Sequence, residues 1–256
     1  MAKWTIWICH LSMKVQEVWM TKRILVILFT ALLSFNATAQ NNPYVDDKLI
    51  HFGFSLGMNL MSFGVTDSEA QIDGEVYHAR VSNLMPGFSV GFISDLRLCK
   101  YLNLRFCPGL AFSQRTLSYI SESGTPVRSK SGQFRDKIDV LSIPITIPLY
   151  LKFTAMREMN YRPYIIAGGG FEYNVYRDAE QPVLLKGPDY FVEVGVGCDI
   201  YFRWFKFCPQ ISYKIGFANI LTPADQNNFL TPDNRFYSTA LTKLTSRMLC
   251  ITFNFE

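Results

Sequence analysis

"IHFGFSLGMNLMSFG", Ile50 to Gly64, decides the fold. Phe52, Phe54, Leu56, Met58 and Leu60 stand at every second position, with His51, Gly53, Ser55, Gly57 and Asn59 between them. A period of two puts the two sets on opposite faces of a β-strand. One face is apolar and the other is small or polar. The apolar face either packs into a soluble core or turns outward to lipid.

Seven further segments repeat the alternation. Phe88, Val90, Phe92, Leu96 and Leu98 oppose Gly87, Ser89, Gly91, Asp95 and Arg97. Leu104, Phe106, Leu110 and Phe112 oppose Asn103, Arg105, Gly109 and Ser113. In "LSIPITIPLYLKF", Leu141 to Phe153, the apolar set includes Ile143, Ile145, Ile147, Leu149 and Leu151, against Ser142, Pro144, Thr146, Pro148 and Lys152. Ile165, Ala167, Phe171, Tyr173 and Val175 oppose Arg162, Gly168, Gly170, Glu172 and Asn174. Tyr190, Val192, Val194, Val196, Ile200 and Phe202 oppose Glu193, Gly195, Gly197, Asp199 and Arg203. Phe205, Phe207, Ile211, Tyr213, Ile215 and Phe217 oppose Lys206, Gln210, Ser212, Lys214 and Gly216. Leu249, Ile251, Phe253 and Phe255 oppose Cys250, Thr252 and Asn254. Eight strands result, each near the roughly 9–11 residues that a tilted membrane strand needs.

The connections alternate in length. Long ones cover about 64–84, 116–138, 176–188 and 219–241, and short ones sit near Lys100–Tyr101, Met156–Asn160 and Arg203–Trp204. Outer-membrane barrels have short periplasmic turns and long outer loops. The face opposite the apolar set is Gly, Ser and Asn with a few charges of both signs, which suits the narrow interior of an eight-stranded barrel. The expected fold is therefore all-β: an eight-stranded antiparallel transmembrane outer-membrane β-barrel. Phe54, Leu56, Phe92, Phe106, Ile145, Ile147, Val194, Val196, Ile211, Ile251 and Phe253 are expected to face lipid. Asp95, Arg97, Arg105, Lys152, Arg162, Glu172, Glu193, Asp199, Arg203, Lys206 and Lys214 are expected to form a lumen charge network, since buried charges need partners. Tyr101, Tyr150, Tyr161, Tyr164, Tyr190, Phe202, Trp204 and Phe205 cluster near strand ends, as interfacial girdles do. Pro108, Pro144, Pro148 and Pro209 fall inside strands, where each removes a ladder donor and marks a bulge or bend.

With 49% hydrophobic, 15% aromatic and 18% charged residues, the composition argues against disorder. "TKRILVILFTALLSFNATAQ", residues 21–40, has a charged start, an apolar run too short to span a bilayer, and Ala37-Thr38-Ala39 before Gln40. This reads as a signal peptide cleaved between Ala39 and Gln40. Residues 1–19 have no place in such a signal, which would start naturally at Met20. The organisation is residues 1–39 as extension and signal peptide, 40–48 as a periplasmic segment, and 49–256 as the barrel. Most of the net charge of +4 belongs to the presequence, so no basic field for nucleic acid is expected. Five cysteines remain after cleavage, an odd number, and read as small buried or lumenal residues.

No motif carries chemistry. Gly168, Gly169 and Gly170 form neither G-x-G-x-x-G nor a P-loop, and suit strand bending during barrel closure. His51 and His78 lie on different elements, no G-x-S-x-G or H-E-x-x-H occurs, and His78 with a loop Asp such as Asp67 or Asp73 is the one remote catalytic pairing on offer. No enzyme, metal, cofactor or small-molecule substrate is expected.

The detailed text goes further. "DDKLIHFGFSLGMN", "PGFSVGFISDLRLCKYLNLRFCPGLAFSQRTLSY", "VLSIPITIPLYLKF" and "RPYIIAGGGFEYN" together resemble the PorT family of Bacteroidota, across about Asp46 to Phe255. The resemblance implies a non-enzymatic outer-membrane barrel required for type IX protein secretion, with other secretion-machinery proteins and outer-membrane lipid as partners. A general small porin or surface-binding barrel is the alternative. A soluble lipocalin-like binder of a lipophile is a third.

Overall fold

A computed structural model describes residues 48–68, 77–121, 137–176, 183–222 and 241–256. The signal residues Ala37, Ala39 and Gln40 lie outside them. The described residues form eleven strands: β1 Ile50–Asp67, β2 Tyr77–Leu84, β3 Pro86–Arg97, β4 Leu102–Phe106, β5 Gly109–Ser121, β6 Lys137–Ser142, β7 Pro144–Thr154, β8 Tyr161–Asn174, β9 Pro188–Tyr201, β10 Lys206–Gly216 and β11 Leu241–Phe255. All pairings are antiparallel. β1 pairs with β11 on one side and with β3 on the other, so the sheet closes on itself. Closure removes the unpaired edge that lipid could not solvate.

Eleven strands reduce to eight walls because three walls are interrupted, each beside a proline. β2 gives way to β3 at Met85–Pro86, β4 to β5 at Cys107–Pro108, and β6 to β7 at Ile143–Pro144. Proline has no N–H for the ladder, so pairing breaks there. Nearby groups repair the gaps. The Phe92 N–H donates to the Pro108 carbonyl at 2.9 Å. The Ile143 N–H donates to the Asn174 side-chain oxygen at 2.9 Å, and the Val175 N–H to the Ile143 carbonyl at 3.0 Å. Pro148 interrupts nothing. It lies opposite Gly170, where a Cβ would come within 2.6 Å of the Pro148 Cα. A Cβ on Gly168 would likewise lie 2.7 Å from the Tyr150 Cα. These glycines make room for the facing strand, a more specific role than bending.

The outside of the barrel carries an apolar belt. The eleven residues expected to face lipid all point outward, with exposures from 37% at Phe253 to 57% at Val196. On β9 the outward set runs from Tyr190 to Ile200. That is about 33 Å along the strand, and about 25 Å along the axis at a tilt near 40°, the height of an outer-membrane belt. Of the residues read as girdles, Tyr101, Tyr161, Tyr190, Phe202, Trp204 and Phe205 are exposed. Tyr150 and Tyr164 are not girdle residues. Both are buried in the lumen, since they share strand parity with Lys152 and Arg162.

Above the belt the faces exchange character. On β1, Met61, Phe63 and Val65 turn inward while Ser62, Gly64 and Thr66 turn outward. On β5, Leu117 and Tyr119 are buried inside, with Gln114 and Ser118 outside. β6 buries Ile138 and Val140, and β11 buries Leu244, while Lys137, Asp139, Lys243 and Arg247 are exposed. This is the polarity of a soluble sheet. Phe63, Val65, Leu117, Tyr119, Ile138, Val140 and Leu244 form one dry cluster inside the barrel mouth with Ala79, Val81, Val183, Leu185, Ile220, Leu221 and Leu241, while Met61 packs below it with Ala111 and Met248. Much of what reads as the loops 64–84 and 116–138 is therefore strand. The period of two continues there, but its apolar phase has slipped to the inner face.

Among the described residues five cysteines are free thiols. Cys208 is buried and Cys107 and Cys250 are partly buried, but Cys99 is exposed on the β3–β4 turn, contrary to a uniformly buried set.

Candidate functional site

Among the described residues, chemistry-bearing side chains converge in the lumen. Because β-strands alternate, every wall contributes one side chain per two residues to the interior. At the short-turn end, Asp95 comes from β3, Arg105 from β4, Lys152 from β7, Asp199 from β9 and Lys206 from β10, while Glu256 follows β11. These six form a neutral ring of three cations and three anions. Arg105 Nη2 lies 2.8 Å from Asp95 Oδ2, and Nε donates to the same oxygen at 3.2 Å. The other Arg105 partner is Glu256, which also pairs with Lys206. Lys152 Nζ lies 2.7 and 2.8 Å from the two Asp199 oxygens and 3.9 Å from Asp95. Lys206 Nζ lies 4.0 Å from Asp199. Tyr164 backs the ring, its face 4.2 Å from Lys152 Nζ, and its hydroxyl donates to Gln210 at 3.1 Å.

A second tier lies nearer the middle. The Tyr150 hydroxyl donates to Glu193 at 2.6 Å. Lys214 donates to Glu172 at 2.9 Å and sits 4.2 Å above the Phe191 ring. Between the tiers is a cavity of about 90 Å³ with mixed polar and apolar walls, lined among others by Arg105, Thr146, Glu193, Lys214, Asn254, Leu110 and Met248. That volume and lining suit a few ordered waters. Higher still, Arg115 is fully buried. Its guanidinium lies 4.3 Å over the Phe63 ring and 3.4 Å from Ser142 Oγ. Asp189, nearby, accepts the Ala218 N–H at 3.0 Å. The dry cluster closes the mouth above Arg115.

Eight of the eleven residues expected in the lumen are buried there: Asp95, Arg105, Lys152, Glu172, Glu193, Asp199, Lys206 and Lys214. Arg97 and Arg162 are half-buried at the short-turn rim. Arg162 donates there to the carbonyls of Ala155 (3.0 Å) and Lys100 (2.6 Å), tying two turns together rather than joining the ring. Arg203 is a correction. It sits exposed on the β9–β10 turn, 5.2 Å from the Trp204 ring, because β9 ends at Tyr201 and alternation no longer directs it inward. Glu256, Arg115, Asp189, Tyr150 and Tyr164 were missed. Their parity was readable: Glu256 continues the Cys250, Thr252, Asn254 series, and Arg115 continues Gly109, Ser113.

The arrangement holds charge and does not expose it. Each ring carboxylate is met by a cation, and no cluster of His, Cys, Asp or Glu among the described residues fits a metal. The site is a filled core of polar groups.

Residues 38–222 match the family model described as outer membrane protein beta-barrel domain. No curated protein matches significantly. Among solved structures, Neisserial surface protein A is similar over 81% of this chain and 98% of its own, at 10% identity and a TM-score of 0.41. The N-terminal β-barrel domain of Pseudomonas aeruginosa OprF is similar over 79% and 96%, at 9% identity and a TM-score of 0.32. Ail, the attachment invasion locus protein of Yersinia pestis, in complex with the heparin analogue sucrose octasulfate, is similar over 80% and 96%, at 10% identity and 0.34. With the family model spanning most of its length, and a closed antiparallel sheet that turns its apolar side outward, this chain belongs to the outer membrane protein β-barrel domain family.

Proposed function

We propose that this barrel is a closed, non-catalytic outer-membrane component of the type IX secretion machinery, reaching the membrane by a signal peptide cleaved after Ala39. The observation that carries the non-transport part is the double obstruction of the lumen. The ring from Asp95 to Glu256 blocks one end, and the cluster around Phe63, Leu117 and Leu244 blocks the other. An eight-stranded barrel has an interior just wide enough for side chains. A general porin is disfavoured by that filling. A lipocalin-like binder is disfavoured because the apolar belt is outside and the belt-level interior is charged. The link to secretion rests on the PorT-like segments between Asp46 and Phe255, and its partners are outer-membrane lipid and other proteins of the machinery.

Deleting the gene and following export of type IX cargo tests the assignment. Loss of surface cargo with retention in the periplasm is expected, restored by the intact gene. Unchanged export overturns the secretion role while leaving the closed barrel intact.

A further inference from the structure

Charge inside the wall does not balance. Among the described residues the buried basic side chains are Arg105, Arg115, Lys152, Lys206 and Lys214, and the buried acidic ones are Asp95, Glu172, Asp189, Glu193, Asp199 and Glu256. Five cations face six carboxylates, an excess of one negative charge. The ring at the short-turn end is neutral by itself. Arg115 offsets Asp189, with which it lines a common pocket. The excess therefore lies in the middle tier. Lys214 stands directly opposite Glu193 in the β9–β10 register, yet its Nζ goes to Glu172 at 2.9 Å. Glu193 accepts the Tyr150 hydroxyl at 2.6 Å, and no cation among the described residues forms an ion pair with it. A buried carboxylate without a counter-charge is strongly disfavoured.

Glu193 opens on the chamber of about 90 Å³ between the tiers. Ser55, Ser89, Thr146, Thr252 and Asn254 bring neutral oxygens to the same chamber. Two of these hydroxyls lie over glycines that make room for them. A Cβ at Gly91 would come within 2.7 Å of the Ser55 Oγ, and one at Gly57 would collide with the Ser89 Oγ. Asn254 turns its Nδ2 to Gln210 at 3.5 Å, which leaves its Oδ1 as an acceptor. The Thr146 hydroxyl donates to the Gly109 carbonyl at 3.4 Å and keeps its lone pairs. Oxygen ligands suit hard cations. No cluster of His, Cys, Asp and Glu of the kind that holds a divalent or transition metal lies among the described residues, and one carboxylate matches one positive charge. The same charge count disfavours an anion here.

We propose that the lumen holds one monovalent cation, sodium or potassium, at Glu193. Hydroxyl and amide oxygens and retained water complete its shell. The ion neutralises the middle tier, so it is a ligand of the folded barrel and not of the unfolded chain.

The full barrel, refolded in neutral detergent, is unfolded with urea in sodium, potassium or choline chloride at one ionic strength. The anion is the same throughout, and choline is too large for the chamber. The wild-type midpoint is expected to rise with sodium or potassium concentration and to stay flat in choline, because a ligand of the folded state stabilises it by mass action. Glu193→Gln, a neutral side chain of the same shape that still accepts from Tyr150, is expected to remove the dependence. Glu158→Gln, on an exposed turn, should keep it. As a second readout, wild-type barrel equilibrated with thallium(I) and desalted should retain about one ion per barrel, displaced by potassium and not by choline. That measurement stands even where the Glu193 variant does not fold. Equal midpoints in the three salts, as a proton on Glu193 in place of the ion would give, overturn the proposal. So does the absence of retained thallium, or a cation dependence that Glu193→Gln leaves intact. None of these outcomes bears on the export assay.

Discussion

At the scale of the residue, the chain shows how buried charge is made tolerable. Lys152 is fully buried, and so is the Asp199 it meets at 2.7 Å. Ion pairs of this kind contribute little net stability, because desolvation offsets attraction, but removing one partner strands the other. Lys152→Met should therefore destabilise the barrel by about 3–5 kcal/mol, read from the urea midpoint of the folded form in detergent. A shift below about 1 kcal/mol would mean that Lys206 and Arg105 compensate alone. Gly170→Val tests a different constraint. Its Cβ would fall 2.5 Å from the Ile147 carbonyl oxygen and 2.6 Å from the Pro148 Cα, both backbone atoms that no rotamer change can move. A cost of about 1–3 kcal/mol is expected in the same assay. Gly170→Ala should show most of it, because the clash begins at Cβ.

At the scale of the element, the useful fact is that one strand carries two codes. The lower part of β5 presents Leu110 and Phe112 outward, and its upper part presents Gln114 and Ser118 outward with Leu117 inside. The crossing point marks where acyl chains give way to polar surroundings. An arginine on the outward face should be costly below that point and tolerated above it. Val194→Arg, in mid-belt on β9, is expected to cost about 2–4 kcal/mol. Gln114→Arg, on the outer face just above the crossing, should stay within about 0.5 kcal/mol of wild type. Equal costs for the two, measured by urea unfolding in lipid vesicles, would contradict the position of the belt. The proline breaks belong to this scale too. Pro86, Pro108 and Pro144 divide walls without opening the barrel, since flanking pairs and the Asn174 side chain carry the ladder past them.

At the scale of the whole molecule, a closed cylinder with charge at one end and a dry cluster at the other should not conduct. The purified protein in a planar bilayer is expected to be electrically silent. Breaking the ring alone by removing one matched pair, as in Lys152→Met with Asp199→Asn, should leave it silent too, because the cluster around Phe63 and Leu244 is untouched. A steady conductance in the wild type would show that the lumen is open and would restore the porin reading. The two closures are built differently for a reason of position. Within the belt the interior is charged because the outside must be apolar. Above it the outside meets polar surroundings, and the interior can return to the packing of an ordinary soluble sheet.

Alternation gave the eight walls and the two faces of each, because a period of two is a local property of consecutive residues, and the order of long and short connections with the small, polar opposite face pointed to a barrel with its apolar side outward. It also placed Asp95, Arg105, Lys152, Asp199 and Lys206 on the inner face. What it left open was decided only by closure. Which cation meets which carboxylate depends on walls far apart in sequence: Arg105 reaches Glu256 across the lumen, and Lys152 reaches Asp199. The buried role of Arg115 and the soluble-type core at the mouth have the same origin. Each depends on which walls closure brings across the lumen from one another, and that juxtaposition of distant strands is not carried by the pattern of any one segment.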